Sequence, residues 1–199
     1  MALLVLLRHG ESVWNAANRF TGWTDVELSE KGEQEAAEAG QQLAETRFDV
    51  CYTSDLVRAQ RTAGIVLELN TASDGIPTHE DWRLNERHYG ALQGLDKDET
   101  RAKHGAKQVH IWRRSYDVAP PDGESLKACA ERTIPCFDEC IIPDLTSGKN
   151  VLVAAHGNSL RSIVMHIEGL TREQVLSLEL PTGVPRSYEF ADAGFTRLD

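Results

Sequence analysis

Residues 3–12 read LLVLLRHGES, an apolar run that ends abruptly at Arg8 and His9. A continuous apolar run of this kind is typical of a strand in a parallel sheet, because helices cover both of its faces. Residues 151–159 repeat the arrangement as VLVAAHGNS, with His156 directly after the apolar run. Ligands bind at the carboxyl ends of the strands in open parallel sheets. We therefore expect the two histidines to face each other across one crevice, an arrangement suited to phosphoryl chemistry.

The rest of the chain alternates strand and helix patterns. Strands are predicted at residues 3–7, 48–53 and 151–155, with an extended segment at 76–86 and an edge strand at 187–191. Helices are predicted from a cap at Ser29 to about 46, from a cap at Ser54 or Asp55 to 69, over 97–116 with a break near Gly105, from Ser125 to a stop before Pro143, over 158–169 and over 172–178. This alternation predicts an α/β fold of three layers, with a mostly parallel central sheet flanked by helices.

The size and composition fit one globular domain over residues 1–199. Of these residues, 41% are hydrophobic and 26% are charged, and the chain is long enough to bury a sizeable core. No apolar stretch approaches the roughly 20 residues that span a bilayer. The apolar N-terminal run is too short for a signal peptide. These features predict a cytoplasmic protein with no membrane partner.

The formal net charge is −10. Nucleic-acid binding needs a basic face, so this charge argues against nucleic acid as a partner. An anionic substrate is also repelled by the protein as a whole. Affinity for a phosphate therefore has to come from a few arginines concentrated in one cleft.

The four cysteines are expected to be buried free thiols. Cys51 falls in a predicted strand, and Cys129, Cys136 and Cys140 share one face of a predicted helix. A zinc site is the alternative, but the chain contains no Cys-x-x-Cys pair. We therefore predict no zinc site at these cysteines.

His9 is the candidate nucleophile. A neutral imidazole can attack phosphorus and form a phosphohistidine, which divides a difficult transfer into two easier steps. Arg8 beside it is permanently charged and offers a planar fork to phosphate oxygens. The chain contains no GxxxxGK[ST] loop, so the pattern is not that of a P-loop nucleotidase.

Other residues are ambiguous when they are taken singly. Arg58 lies one turn into a helix that follows a strand, where an anion is favoured, but a surface arginine on a polar face is the alternative. His156 is placed to stabilise a phosphoryl group in transfer, with Gly157 allowing close approach, but a structural histidine is the alternative. Arg113 and Arg114 fit either a ligand site or a solvated helix face.

A carboxylate follows the extended segment, in RLNERHYG at residues 83–90. A carboxylate at this point is suited to exchanging a proton with a substrate hydroxyl. Spacing alone does not assign that role to Glu86.

Longer motifs carry a family resemblance. RHGE at 8–11 together with His156 resembles the histidine phosphatase superfamily. More narrowly, the chain resembles the cofactor-dependent phosphoglycerate mutases of glycolysis and gluconeogenesis, through RHGESVWN at 8–15, NRFTGWTD at 18–25, LSEKG at 28–32, YTS at 52–54 with Arg58-Ala59, NERHYGALQG at 85–94, HGNSL at 156–160 and PTGVP at 181–185. The resemblance covers nearly the whole chain.

This resemblance implies a metal-independent isomerase that interconverts 3-phosphoglycerate and 2-phosphoglycerate, primed by 2,3-bisphosphoglycerate. It implies that His9 is phosphorylated, that Arg8, Arg58 and His156 clamp the transferring group, and that Glu86 carries the proton. Matching positions imply phosphate or substrate contacts for Ser12, Asn15, Thr21, Gly22, Gly157 and Asn158. Contacts with the rest of the ligand and its carboxylate are implied for Arg87, Tyr89, Lys97, Arg113 and Arg114.

The expected partners are small phosphorylated three-carbon acids, and a homo-oligomer is left open. A bisphosphoglycerate synthase, a bisphosphoglycerate phosphatase or a general histidine phosphatase on the same scaffold is the first alternative. A non-catalytic binding protein is the second, and the presence of His9, Glu86 and His156 argues against it.

The chain departs from longer family members in two places. It is shorter after Pro121, and it stops at Asp199. Longer relatives continue into a mobile tail over the site. The resemblance therefore leads us to expect a phosphohistidine that is more open to water.

Overall fold

A six-stranded, mostly parallel sheet forms the centre of the protein in the computed structural model, which describes residues 1–198. The strands are β1 (Ala2–Arg8), β2 (Val50–Thr53), β3 (Thr78–Glu80), β4 (Val151–Ala155), β5 (Pro185–Ala191) and β6 (Gly194–Arg197). They lie in the order β3-β2-β4-β1-β5-β6. The first four in that order are parallel, β5 is antiparallel to β1, and β6 is antiparallel to β5. The predicted fold class is confirmed.

Helices cover both faces of the sheet. They are α1 (Val13–Ala16), α2 (Glu30–Gln42), α3 (Val57–Leu69), α4 (Lys97–His104), α5 (Ala106–Arg114), α6 (Leu126–Cys136), α7 (Ile142–Thr146), α8 (Gly157–Glu168) and α9 (Arg172–Ser177). A π-helical turn, Phe137–Ile141, joins α6 to α7. Within residues 1–198, none of the helices combines the length and apolar character needed to cross a membrane.

The alternation of side chains along β1 explains its continuous apolar run. Leu4 and Leu6 belong to an apolar cluster with Phe137 and Ile163, on the face covered by α6 and α8. Val5 and Leu7 belong to a second cluster on the opposite face, with residues of α2 and α3. Because both faces are buried, every position along the strand has to be apolar.

Two predictions about the strands are wrong, one about a boundary and one about which strand forms the edge of the sheet. The second strand begins at Val50 rather than at residue 48. The segment predicted as an edge strand is the inner part of β5, which pairs with β1 on one side and β6 on the other. The edge is formed instead by β6, which was not predicted because it is short and mostly exposed.

Two predicted helix ends also differ. Neither Ser54 nor Asp55 is the N-cap of α3; the carboxylate of Asp25 accepts a hydrogen bond from Val57 N at 2.8 Å instead. The helical segment after Ser125 does not stop before Pro143, because α6 leads through the π-helical turn directly into α7. Pro143 therefore lies in the first turn of α7, where its missing N–H costs nothing.

The four cysteines are free thiols. Cys51, Cys129 and Cys136 are buried, and Cys140 is partly buried. Burial raises the pKa of the Cys51 thiol to about 12 and that of Cys129 to about 11. Both are therefore protonated at neutral pH and pack as small apolar groups.

Candidate active site

The carboxyl ends of β1 and β4 deliver the two histidines. The strands are paired in register up to Arg8 and Ala155, and His9 N then donates to Ala155 O at 3.0 Å. The ring centroids of His9 and His156 lie 4.9 Å apart, with an interplanar angle of 61°. Both rings are buried. The structure thus brings together two residues that are separated by most of the chain.

The protonation state of His9 follows from its surroundings. Its Nδ1 lies 2.6 Å from the carbonyl oxygen of Gly10, which can only accept. The Nδ1 atom therefore carries the proton, and Nε2 holds a free lone pair. Burial, and then the positive charges of Arg58 and Arg8, lower the pKa of His9 well below its ordinary value of 6.5. The ring is neutral at pH 7 and is in the form that can attack phosphorus.

Close backbone packing fixes the loop that follows β1. A Cβ atom on Gly10 would lie 2.1 Å from the carbonyl oxygen of Gly32 in α2. Gly10 N also donates to the Thr62 hydroxyl at 3.1 Å. Only glycine allows this approach, which anchors the residue after His9 to both α2 and α3.

Arg58 projects from the first turn of α3 and is 1% exposed. Its Nη2 donates to Gly22 O at 2.8 Å, and its Nη1 donates to Thr24 O at 3.1 Å. Gly22 has a φ of 57°, a conformation that glycine adopts without strain. Burial lowers the pKa of Arg58 to about 10, so the guanidinium is still charged at neutral pH.

Several buried polar atoms around His9 lack a hydrogen-bond partner among the described residues. They are Nε of Arg8, Nε of Arg58, Oγ1 of Thr21 and Nδ1 of His156. Buried donors without partners cost about 1–3 kcal/mol each. An anion with several oxygens, such as a phosphoryl group, has the chemistry to satisfy them.

The hydroxyl group of Ser54, the residue directly after β2, holds the ring of His156. Its Nε2 lies 2.7 Å from Oγ of Ser54, which also accepts from Leu56 N at 3.2 Å. Burial, followed by the charge of Arg58, lowers the pKa of His156 well below 6.5. The ring is therefore neutral at pH 7, with Nδ1 left for a ligand.

The carboxylate of Glu86 is fixed at one oxygen only. Its Oε1 accepts hydrogen bonds from Arg87 N at 2.8 Å, Asn158 N at 3.1 Å and Asn158 Nδ2 at 2.9 Å. Its Oε2 lies beside Gly157, 3.8 Å from where a Cβ atom would be. This arrangement leaves Oε2 for exchange of a proton with a ligand.

A cavity of about 230 Å³ contains most of the predicted site residues. Its lining includes Arg8, His9, Asn15, Thr21, Gly22, Arg58, Glu86, Tyr89, Lys97, Arg113, Arg114, Gly157 and Asn158. The lining contains seven arginine and lysine side chains but only two carboxylates. The cavity is therefore strongly basic, although the chain as a whole is acidic.

Three predicted site residues, Ser12, Arg87 and His156, are not part of this lining. The His156 ring packs against that of His9, and Ser12 and Arg87 each support a lining residue. Ser12 caps α1, exchanging hydrogen bonds with Asn15 at 3.1 Å in both directions. Arg87 stacks its guanidinium 4.7 Å from the ring centroid of Tyr89 and donates to the Tyr89 hydroxyl at 3.1 Å.

Sequence reasoning missed four lining residues: Arg19, Phe20, Arg161 and Glu179. Arg161 lies one helical turn after Asn158, so helical spacing from the HGNS motif was a usable signal. Glu179 lies in the loop after α9 and pairs with Arg114 at 3.5 Å. No local pattern marks it, because its place at the cavity depends on how the loop folds.

The chain belongs to the histidine phosphatase superfamily (branch 1), whose family model matches residues 4–198. It is 56% identical to the 2,3-bisphosphoglycerate-dependent phosphoglycerate mutase of Parvibaculum lavamentivorans, over 96% of this chain and 92% of that protein. It is 50% identical to the protein of the same name from Zymomonas mobilis, over 96% of this chain and 94% of the relative.

Solved structures share the fold at lower identity. Bacillus stearothermophilus YhfR aligns with a TM-score of 0.86 and 30% identity, over 99% of this chain and 95% of that one. The mycobacterial glucosyl-3-phosphoglycerate phosphatase Rv2419c, in its complex with VO3, aligns with a TM-score of 0.85 and 28% identity, over 99% and 97% of the two chains.

Proposed function

We propose that this protein is a 2,3-bisphosphoglycerate-dependent phosphoglycerate mutase, interconverting 3-phosphoglycerate and 2-phosphoglycerate through a phosphohistidine at His9. The observation that carries the proposal is the buried neutral imidazole of His9, a residue that lines a basic cavity and whose Nε2 is left without a proton. Relatives of that name, about half identical over nearly the whole chain, support it. The machinery would lie in one domain spanning residues 1–199.

His9 acts as the nucleophile in this proposal. Its Nε2 forms a bond to phosphorus while the bond from phosphorus to the donor oxygen breaks. Arg8 and Arg58 neutralise the equatorial oxygens, which is the main requirement of phosphoryl transfer. The Ser54 hydroxyl donates a hydrogen bond to Nε2 of His156, so the ring proton lies on Nδ1. In this proposal, Nδ1–H donates to the equatorial oxygens of the phosphoryl group.

Glu86 carries the proton. It takes the proton from the substrate hydroxyl as that oxygen bonds to phosphorus and the bond from His9 breaks. It returns the proton to the departing oxygen when Nε2 attacks the second phosphate. One group can serve as base and then as acid because Oε2 stays free while Oε1 is held.

The remaining residues would bind and orient the ligand. Phosphate or substrate contacts are assigned to Asn15, Thr21, Gly22, Gly157 and Asn158, and contacts with the carboxylate and second phosphate to Tyr89, Lys97, Arg113 and Arg114. Ser12 and Arg87 would act through Asn15 and Tyr89. Burial and the neighbouring charge of Arg113 lower the pKa of Lys97, which an anionic ligand would offset.

The cavity fits the primer that the relatives' name implies. 2,3-Bisphosphoglycerate supplies the phosphoryl group that converts His9 to its phosphorylated form. The unpartnered atoms of Arg8, Arg58, Thr21 and His156 suit one phosphate of such a ligand. We propose that these side chains do the neutralising without a metal ion. A cytoplasmic location is supported by the four free thiols, which are typical of a reducing compartment.

Phosphatase activity is the second candidate. The likeness to the glucosyl-3-phosphoglycerate phosphatase Rv2419c favours it, since that protein performs hydrolysis on the same fold. A phosphatase lets water reach the phosphohistidine, whereas a mutase has to exclude it. The two activities therefore differ in the acceptor of the phosphoryl group.

A coupled enolase assay on 3-phosphoglycerate, with and without added 2,3-bisphosphoglycerate, tests the proposal. We expect 2-phosphoglycerate to form, with a rate that rises when the primer is added. Release of inorganic phosphate without 2-phosphoglycerate would favour the phosphatase and contradict the mutase.

A further inference from the structure

One buried arginine, Arg132, lies behind Glu86 and is not part of the cavity lining. Arg132 projects from α6 and is 9% exposed. Its Nη1 donates to the carbonyl oxygens of Arg83 at 2.8 Å and Asn85 at 3.0 Å, and its Nη2 donates to that of Glu86 at 2.9 Å. One guanidinium thus binds three carbonyls of the segment that presents the Glu86 carboxylate.

Glu124 holds this guanidinium in place. Arg132 Nε donates to Glu124 Oε1 at 2.8 Å, and Nη2 donates to Oε2 at 2.9 Å. Glu124 Oε2 also accepts from His88 N at 2.8 Å. The pair therefore brackets the backbone on both sides of Glu86, from residue 83 to residue 88.

The carbonyl oxygen of Glu86 also connects this residue to the part of the site around His9 and Arg58. Trp23 Nε1 donates to Glu86 O at 2.5 Å, and the Arg132 guanidinium lies 5.4 Å from the Trp23 ring centroid. Trp23 lies between Gly22 and Thr24, whose carbonyls hold Arg58. The backbone of Glu86 is thus fixed relative to the residues around His9.

This segment needs such support because it is irregular. Between the short 3₁₀ turns at Trp82–Leu84 and Gly90–Leu92, the chain has no helix or strand to satisfy its carbonyls. A proton carrier has to lie within hydrogen-bond reach of its target, and a misplacement of about 1 Å can cost 10²-fold in rate.

We propose that Arg132, held by Glu124, is a positioning residue that sets the place of the Glu86 carboxylate in the cavity. The inference rests on the proposed function, which assigns proton transfer to Glu86. It adds a role for a residue that touches no reacting atom and that acts through the backbone carbonyls of Arg83, Asn85 and Glu86.

A double-mutant cycle tests the inference. We expect R132M to lower kcat by about 10²-fold, with a smaller change in KM, by the misplacement argument. Combining R132M with E86Q should then leave activity within about threefold of E86Q alone, since coupled residues are not additive. R132K keeps the charge and one donor nitrogen, and it should recover part of the rate in the same cycle.

Arg186 provides a matched control. It is also 9% exposed and pairs with a glutamate, Glu168, at 2.6 Å, but it lies on β5 and does not line the cavity. R186M tests for a general loss of packing. The fold-loss of activity in the R186M/E86Q double variant should therefore equal the product of the two single losses. If R132M and R132K multiply with E86Q in the same way, the positioning role is refuted.

The pre-steady-state burst of p-nitrophenolate from p-nitrophenyl phosphate gives a second measurement, because it reports the phosphorylation of His9 and not the later attack of water on the phosphohistidine. This leaving group departs without a proton, whereas the alkoxide of phosphoglycerate needs one. E86Q and R132M should both spare the rate of this burst while slowing mutase turnover. If E86Q slows both reactions equally, the assignment of proton transfer to Glu86 is refuted. If E86Q slows only mutase turnover but R132M slows both reactions equally, only the positioning role of Arg132 is refuted.

Discussion

The Nδ1 atom of His9 lies 2.6 Å from the carbonyl oxygen of Gly10, and this contact determines which ring nitrogen is free to react. The carbonyl is itself fixed, because Gly10 packs directly against the backbone of Gly32. The proposed nucleophile is thus oriented by backbone packing between the loop after β1 and helix α2. The orientation of its ring therefore depends on Gly10 and Gly32, which carry no catalytic side chain.

Replacing Gly10 by alanine should damage both stability and activity. The new methyl group would lie 2.1 Å from Gly32 O, so the loop and α2 have to move apart. We expect the free energy of unfolding to fall by about 1–3 kcal/mol, as in other overpacked sites, and kcat to fall more than tenfold. Chemical denaturation and the enolase assay measure the two effects.

Gly64 supplies the control for that substitution. It lies within α3, and a Cβ there would meet nothing within 4 Å among the described residues. G64A should therefore stabilise the protein by roughly 0.5–1 kcal/mol, because alanine is the better helix former. A G10A variant as stable and as active as G64A would contradict the packing argument.

The two buried histidines should make stability depend on pH below neutrality. Burial lowers the pKa of both His9 and His156 well below 6.5, so the unfolded chain binds more protons than the folded one as pH falls through 6.5. Their contribution to the free energy of unfolding is complete above pH 6.5 and is lost progressively as the pH falls below 6.5. Each histidine should add a slope of about 1.4 kcal/mol per pH unit.

Denaturation of wild type, H9N and H156N at pH 5, 6, 7 and 8 measures this slope. Each variant should lose one histidine's share of the slope below pH 6.5, and none should change the slope above pH 7. Equal slopes in all three proteins at low pH would show that these rings are not held neutral in the folded state.

The proposed metal independence predicts the response to two reagents. Turnover should survive exhaustive treatment with EDTA, because Arg8, Arg58 and His156 supply the positive charge and donors. Vanadate should inhibit, since it adopts a geometry similar to that of the transferring phosphoryl group. Loss of turnover in EDTA, restored by manganese, would refute the proposed chemistry.

Replacing Glu86 by glutamine should slow mutase turnover by about 10²–10⁴-fold, the usual contribution of a general acid–base group. Glutamine keeps an acceptor for the Asn158 N–H but cannot carry the proton. Ligand binding should change far less. E33Q, which alters a surface carboxylate paired with Arg61, is the control for loss of one negative charge. An E86Q rate within a few-fold of wild type would assign the proton to another group.

The parts of the fold that follow local patterns could be predicted from the sequence. The buried runs of β1 and β4 and the Ser29 cap of α2 are each encoded within a few residues. Motif positions around His9 likewise led to most of the cavity lining.

Features that depend on distant contacts could not be predicted. The cap of α3 comes from Asp25, which is 32 residues before Val57. Arg132 reaches Glu86 across 46 residues, and its helix position alone indicates only an amphipathic arginine. Such partners are chosen by tertiary packing, and a single sequence contains no periodicity that marks them.

The central claim is that Nε2 of His9 accepts the phosphoryl group. Incubation with radiolabelled 2,3-bisphosphoglycerate, followed by acid and base treatment and peptide mapping, tests it most directly. We predict acid-labile, base-stable label on His9, attached at Nε2, and no label on a folded H9N variant. Label on another residue, or turnover by H9N, would contradict the account.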